Sequence, residues 1–207
     1  INTCTVTNMS DRKSRQMISR ARRDNPDSVI AVMGCYSQVK PEEVAGIDGV
    51  DIVLGSRNKE SVVELCEDIL QNKSVSDKII APSETKSFEE LQISNQTEMT
   101  RAYLKIQDGC NMYCSYCLIP YARGNIVSRD IKDIADESKR LAANGFKEIV
   151  LTGIHVSSFG KDLDEDISLI DAIEEVSKVD GIERIRLSSM EPRHITRDFL
   201  ERMKATG

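Results

Sequence analysis

Apolar residues fall along the chain in two patterns: short runs of aliphatic and β-branched residues, and longer stretches whose apolar positions recur three and four residues apart. The first pattern predicts strands and the second amphipathic helices, because strand side chains alternate faces while helical ones return after about 3.6 residues. Ser10 to Arg23 reads as a helix with Ser10 as N-cap, Met17, Ile18 and Ala21 on one face, basic residues largely elsewhere, and Asn25-Pro26 as its end. Ser28 to Met33 predicts a buried strand that delivers Gly34 and Cys35 to its end. Pro41 to Val44 predicts a short helix, Asp51 to Gly55 a strand and Lys59 to Leu70 a helix. A polar stretch follows, residues 72–100, whose only apolar pair is Ile79-Ile80; it reads as a linker with one possible strand. The alternation then resumes with strand Ala102 to Gln107, helix Ile131 to Ala143 stopped by Gly145, strand Glu148 to Thr152, helix Ser168 to Val179, strand Arg184 to Leu187 and helix Thr196 to Lys204. This order predicts an α/β fold with parallel sheets covered by helices, its functional positions just after the strands. Three consecutive strand–helix units are too few to close a barrel.

The strand at Ala102 to Gln107 empties into a loop that carries Cys110, Cys114 and Cys117, half of the six cysteines. Cysteines separated by three and then two residues turn their thiolates inward on one loop, and Gly109 frees the backbone to enter it. Such a loop suits a metal centre. A structural zinc site wants four protein ligands, and no further cysteine or histidine follows Cys117 for more than twenty residues. A cubane iron–sulphur cluster on three thiolates is also one ligand short, but its open iron is then available to a substrate or cofactor. Spacing alone leaves three candidates: a cluster of that reactive kind, zinc, or an electron-transfer cluster.

Cys110-x3-Cys114-x2-Cys117, with Tyr116 before the last cysteine, resembles the signature of the radical S-adenosylmethionine enzymes. Lys105-Ile-Gln-Asp-Gly-Cys, Cys114-Ser-Tyr-Cys, Ile119-Pro-Tyr-Ala-Arg-Gly and Ser128-Arg129 together resemble the methylthiotransferases of that superfamily, a likeness that extends over nearly the whole chain. The resemblance implies the first half of a six-unit partial barrel at residues 99–207. It also implies a truncated N-terminal methylthiotransferase domain at residues 1–75, with a linker at 76–98. It implies that Cys110, Cys114 and Cys117 ligate a 4Fe-4S cluster whose open iron is chelated by S-adenosylmethionine, and that one electron then yields a 5′-deoxyadenosyl radical.

The backbone near Tyr116 is then expected to meet the adenine, although its side chain also reads as a plain core aromatic. Gly153, after the second strand of the block, stands where the superfamily lets backbone approach the methionyl group. Ser188 and Glu191, after the third, are placed for a ribose or, alternatively, cap the next turn. His155 reads as a substrate contact, a general base or a satisfied structural histidine, and His194 receives no role. No catalytic residue is assigned. Asn2-Thr-Cys4-Thr-Val-Thr and Gly34-Cys35-Tyr-Ser-Gln resemble two of the three motifs by which these enzymes hold an auxiliary 4Fe-4S cluster, so that cluster is expected to be incomplete here. Cys66 lies among Val62, Val63, Leu65 and Ile69 and reads as a small buried hydrophobe.

Composition narrows the setting. With 207 residues, 40% hydrophobic and 30% charged, the chain is neither disordered nor membrane-spanning, and no apolar run approaches bilayer length. Six cysteines without a secretory leader suit reduced thiols or metal ligands in a cytoplasmic protein. A net charge of −6 argues against nonspecific nucleic-acid binding by the whole surface, while local basic patches remain open. Both ends read as cut from something longer.

The strings Leu151-Thr-Gly-Ile-His-Val-Ser-Ser-Phe-Gly160 and Arg184-Ile-Arg-Leu-Ser-Ser-Met-Glu-Pro192 resemble the branch that modifies N6-threonylcarbamoyladenosine beside the tRNA anticodon. That resemblance implies tRNA, through its anticodon loop, and an electron donor such as flavodoxin or ferredoxin as partners. Sibling branches act on isopentenyladenosine in tRNA or on a ribosomal-protein aspartate. An electron carrier or a zinc-stabilised binding module is the alternative from another class.

Overall fold

Among the described residues two parallel three-stranded sheets organise the chain, and in each the strands lie side by side in ascending chain order. The computed structural model describes residues 1–57, 59–71, 88–89, 101–163 and 166–206. Two units account for them, Ile1–Glu89 with Asn111–Asn125, and Glu90–Cys110 with Ile126–Gly207.

In the first unit the order is β1 (Asn2–Thr3), α1 (Asn8–Asp24), β2 (Ala31–Gly34), α2 (Cys35–Val39), α3 (Pro41–Ala45), β3 (Ile52–Val53) and α4 (Val62–Leu70). β1, β2 and β3 pair in parallel, with Thr3 opposite Gly34 and Val32 opposite Val53. Successive residues of β2 face opposite ways, so Val32 packs with Ile18, Ile30, Tyr36, Val44 and Val53, and Ala31 with Ile52, Leu54 and Leu65. Both faces are covered, the usual condition of a parallel sheet.

Several predicted boundaries move. The N-cap of α1 is Thr7, whose hydroxyl accepts from the Ser10 amide, so the helix starts ahead of Ser10. The strands expected from Ser28 and Asp51 shorten to β2 and β3. The Asp51 carboxylate accepts from the Ile30 amide at 2.7 Å and pairs with Arg22 at 2.5 Å, while the Asp51 and Ile52 amides both donate to the Ile30 carbonyl, so the regular ladder begins only beyond Ile30 and Asp51. Lys59–Ser61 is a 3₁₀ turn leading into α4. Glu89 accepts from the Lys59 amide and ammonium. The remaining linker positions, including Ile79-Ile80, lie outside the described residues.

After the linker the chain runs through β4 (Arg101–Lys105), β5 (Gln107–Asp108), α5 (Ile119–Arg123), β6 (Val127–Ser128), α6 (Ile131–Ala143), β7 (Glu148–Thr152), α7 (Leu169–Ser177), β8 (Arg184–Leu187) and α8 (Arg197–Ala205). All of these belong to the second unit except α5, which is part of the first. β4, β7 and β8 form the parallel sheet, with Tyr103 opposite Val150 and Val150 opposite Arg186. Leu104, Ile149 and Leu151 bury one face of it against Ile134, Leu141, Ile170, Ile173 and Val176 of α6 and α7. Three strand–helix units in parallel order are thus present, as the periodicity predicts. The predicted strand Ala102 to Gln107 breaks at Ile106. Its amide donates to Thr152 while its carbonyl accepts from Arg129, so the chain changes pairing partner there.

Candidate metal-cluster and cofactor site

The cysteine loop is closed at its base by an antiparallel ladder. β5 and β6 pair Gln107 with Ser128 and Asp108 with Val127, so the chain leaves and re-enters the second unit through adjacent strands. Ser128 is held by Asp162, which accepts from its amide at 2.8 Å and its hydroxyl at 2.5 Å, while the Gly160 amide donates to that same hydroxyl at 2.8 Å. Gln107 is fully buried and serves three backbone groups. Its Nε2 donates to the Asp108 and Gly109 carbonyls, each at 2.7 Å, and its Oε1 accepts from the His155 amide at 2.8 Å. Only a primary amide offers two donors and an acceptor in one uncharged head, so this residue ties the entry to the cysteine loop to the turn after β7. Gly153 lies against it: a Cβ there would stand 2.8 Å from Gln107 Oε1 and 3.0 Å from its carbonyl oxygen. The neighbour that requires a glycine at 153 is thus Gln107, a contact within the chain rather than the methionyl approach expected there.

Gly109 has φ +70°, and within the loop Tyr113 has φ +45°. The Cys117 amide donates to the Cys114 carbonyl at 2.9 Å, closing a turn between those two ligand candidates. Tyr113 meets Tyr121 of α5 edge-on, with ring centroids 5.8 Å apart. Tyr116 is 91% exposed, which rules out the core-aromatic reading of its side chain. All six cysteines are free thiols, with Cys114 exposed and Cys110 and Cys117 half-buried. Three uncommitted thiols within eight residues of one loop are a donor set that fits an iron–sulphur cluster.

Cys4 and Cys35 are brought together by strand register. Thr3 and Gly34 are the paired last residues of β1 and β2, and the two cysteines directly follow them, Cys35 as the first residue of α2. Gly34 has φ +106°, and a Cβ on it would lie 2.4 Å from the Thr3 carbonyl oxygen, so only glycine fits this delivery of Cys35. Cys4 is exposed beside a cavity of about 220 Å³ lined also by Ser10, Lys13, Ser14 and Met17. Cys35 is buried, and its sulphur accepts a hydrogen bond from Arg123 Nε at 3.2 Å. Cys66 sits half-buried in α4 against the Ala31, Ile52, Leu54 and Leu65 cluster, and burial pushes its thiol pKa up. These are the surroundings of a packing residue.

After β7 and β8 the structure groups His155, Glu191 and His194, whose nearest donor atoms lie within 4.8 Å of one another. His155 Nδ1 bonds the Ser158 hydroxyl, and its Nε2 is 3.3 Å from Glu191. Glu191 also pairs with Arg193 at 2.5 Å; against the upward pull of partial burial, that bond and nearby His155 hold its carboxyl below the usual range. Burial pushes the His194 pKa down, and Lys161 and Arg193 push the same way. With those two cations close by, the group suits a polar or anionic ligand better than a divalent cation. Glu191 occupies the N-cap of the 3₁₀ turn Pro192–His194 without a side-chain cap bond, so it does not cap that turn. The Ser188 amide extends the sheet ladder to Leu151, and its residue lines a cavity of about 490 Å³ with Arg101, Tyr103, Val150 and Arg186. Gln107, Asp162, Arg57 and the contact between Arg123 and Cys35 were not read from the sequence. The available signals were a glutamine closing an apolar strand run and the place of Gln107 and Arg123 within the strings that carry the family resemblance.

The radical SAM superfamily model matches residues 104–207, half of the chain. The chain belongs to the radical SAM superfamily. Residues 1–55 match a second model, uncharacterized protein family UPF0004. The chain is 43% identical over 202 residues to the threonylcarbamoyladenosine tRNA methylthiotransferase MtaB of Bacillus subtilis, covering 97% of this chain and 45% of the relative. It is 37% identical over 215 residues to the tRNA-2-methylthio-N(6)-dimethylallyladenosine synthase of Natranaerobius thermophilus, covering 100% of this chain and 47% of the relative. The chain thus spans about half the length of the curated relatives it matches. Among solved structures, the radical S-adenosylmethionine methyltransferase TsrM of Kitasatospora setae aligns with a TM-score of 0.62 at 17% identity, covering 93% of this chain and 42% of that one. That likeness concerns the fold. Among the described residues no helix is long and apolar enough to cross a membrane.

Proposed function

We propose that the protein is a radical SAM methylthiotransferase that converts N6-threonylcarbamoyladenosine next to the tRNA anticodon to its 2-methylthio derivative. The observation that carries the reading is the 43% identity over 97% of the chain to a threonylcarbamoyladenosine enzyme, against 37% to the dimethylallyladenosine branch. Superfamily membership sets the zinc module and the simple electron carrier aside.

In this reading Cys110, Cys114 and Cys117 hold one 4Fe-4S cluster, and Cys4 and Cys35 contribute to a second. When bound at those thiolates, the first cluster would supply the one-electron chemistry for reductive cleavage of S-adenosylmethionine. The rest falls to the chain's own residues. The β5/β6 ladder and Gln107 hold the two strands that flank the cysteine loop in sequence. The backbone at Tyr116 and Gly153, with Ser188 and Glu191, holds the cofactor's adenine, methionyl group and ribose. Residues 1–75 form the auxiliary-cluster domain, 76–98 the linker and 99–207 the radical domain. A flavodoxin or ferredoxin supplies electrons, and the protein works in the cytoplasm on tRNA.

Nucleoside mass spectrometry of tRNA from a strain lacking the gene tests the substrate. Loss of 2-methylthio-threonylcarbamoyladenosine, restored by the gene, is expected. Its persistence alongside loss of the 2-methylthio derivative of isopentenyladenosine would move the protein to the sibling branch.

A further inference from the structure

Arg123 is the last residue of α5, six positions beyond Cys117, yet its Nε donates to the sulphur of Cys35 at 3.2 Å. Both ends of this contact are held in place. On the arginine side, the buried Arg57 guanidinium donates from Nη2 to the Arg123 carbonyl at 2.7 Å and the Asn125 carbonyl at 3.1 Å, fixing the backbone where α5 ends. On the cysteine side, the Ser37 hydroxyl bridges the Gly34 carbonyl at 3.0 Å and the Leu54 carbonyl at 2.6 Å, pinning the turn that presents Cys35. The sulphur itself is buried, so solvent screens this interaction little.

A neutral thiol is only a weak acceptor, so a cysteine buried for packing gains little from a guanidinium. A cysteine that carries negative charge as a cluster ligand gains more, because an N–H aimed at a ligand sulphur favours the more negative, reduced state and raises the reduction potential. From this geometry we infer that Arg123 sets the reduction potential of the auxiliary cluster through Cys35. The segment that carries two ligands of the radical cluster thereby also tunes the second cluster. The inference rests on the reading of Cys35 as an auxiliary-cluster ligand, and it adds a positioning residue to that reading.

The test uses the intact protein, reconstituted without oxygen, in a Cys110→Ala/Cys114→Ala/Cys117→Ala background, so that the auxiliary cluster alone is titrated. Its midpoint potential is followed by electron paramagnetic resonance for the parent, Arg123→Gln and Arg123→Lys. A downward shift is expected for Arg123→Gln and a smaller one for Arg123→Lys, which keeps the charge without the fixed planar donor. Iron content checks loading, and if the glutamine variant loses its cluster the lysine variant decides. An unchanged or raised potential in a loaded variant overturns the inference. So does loss of the cluster from both variants, which would make Arg123 an assembly residue. Absence of the cluster from the parent would instead overturn the assignment of Cys35.

Discussion

Replacement of Cys114 by Ala is expected to abolish 5′-deoxyadenosine formation, with a fall of more than about a hundredfold because three thiolates are the fewest that hold this kind of cluster. Cys114 is exposed and its thiol supports no packing, so the variant should keep the stability of the parent. That separates loss of a ligand from loss of fold, a distinction harder to draw at the half-buried Cys110 and Cys117. The control is Cys66→Ala, which removes a half-buried thiol from the face of α4 against Ala31 and Leu54. It should leave radical cleavage intact and cost a modest amount of stability. Anaerobic reconstitution, iron analysis and quantification of 5′-deoxyadenosine in parallel check both variants. Cleavage retained by Cys114→Ala would remove that residue from the ligand set.

The largest expected effect on stability lies at Glu137. Arg129 follows β6, at the closure of the cysteine loop, and its Nη1 reaches the Glu137 carboxylate on α6 at 2.5 Å; each side chain is only 5% exposed. Arg140 stands 4.0 Å from the same carboxylate oxygen. Removing one partner of a buried pair leaves the other charge in a low-dielectric setting, so Glu137→Ala should destabilise the protein by about 3–5 kcal/mol. Replacing both partners with apolar residues of similar volume, Arg129→Met with Glu137→Leu, should recover most of that loss. Urea unfolding of the single and double variants checks the pair. Equal destabilisation in both would mean that Arg129 matters through contacts other than this one.

How much of this was legible in the sequence depends on how local the cause is. Ile131 to Ala143, Glu148 to Thr152 and Arg184 to Leu187 are predicted with the observed ends, since their apolar period and flanking residues are decided within the segment. The helix expected from Ser10 starts earlier because Thr7 and Ser10 are both competent caps, and the choice is made by the turn after β1. The strand expected through Gln107 breaks because Ile106 finds partners in Thr152 and Arg129, positions remote in the chain. The candidate cysteines stood out because their spacing is itself the signal. Of the neighbours of His155, Ser158 is local to its own turn, whereas Glu191 and His194 come from the turn after β8 and become neighbours only when β7 and β8 pair. Gln107 and Arg123 act through atoms far along the chain, on Gly153 and His155 in one case and Cys35 in the other; both lie inside the strings that carry the family resemblance, but nothing in those strings shows what they touch.

If the proposed function holds, C2 of the modified adenine exchanges its hydrogen for the methylthio sulphur, and that hydrogen would leave on the 5′-deoxyadenosyl fragment of S-adenosylmethionine. An RNA stem-loop carrying N6-threonylcarbamoyladenosine deuterated at C2, incubated anaerobically with the reconstituted intact protein, S-adenosylmethionine and reductant, tests it most directly. Deuterium is expected in the 5′-deoxyadenosine, accumulating with the 2-methylthio nucleoside. A methylthiolated product accompanied by unlabelled 5′-deoxyadenosine, or none at all, would contradict it.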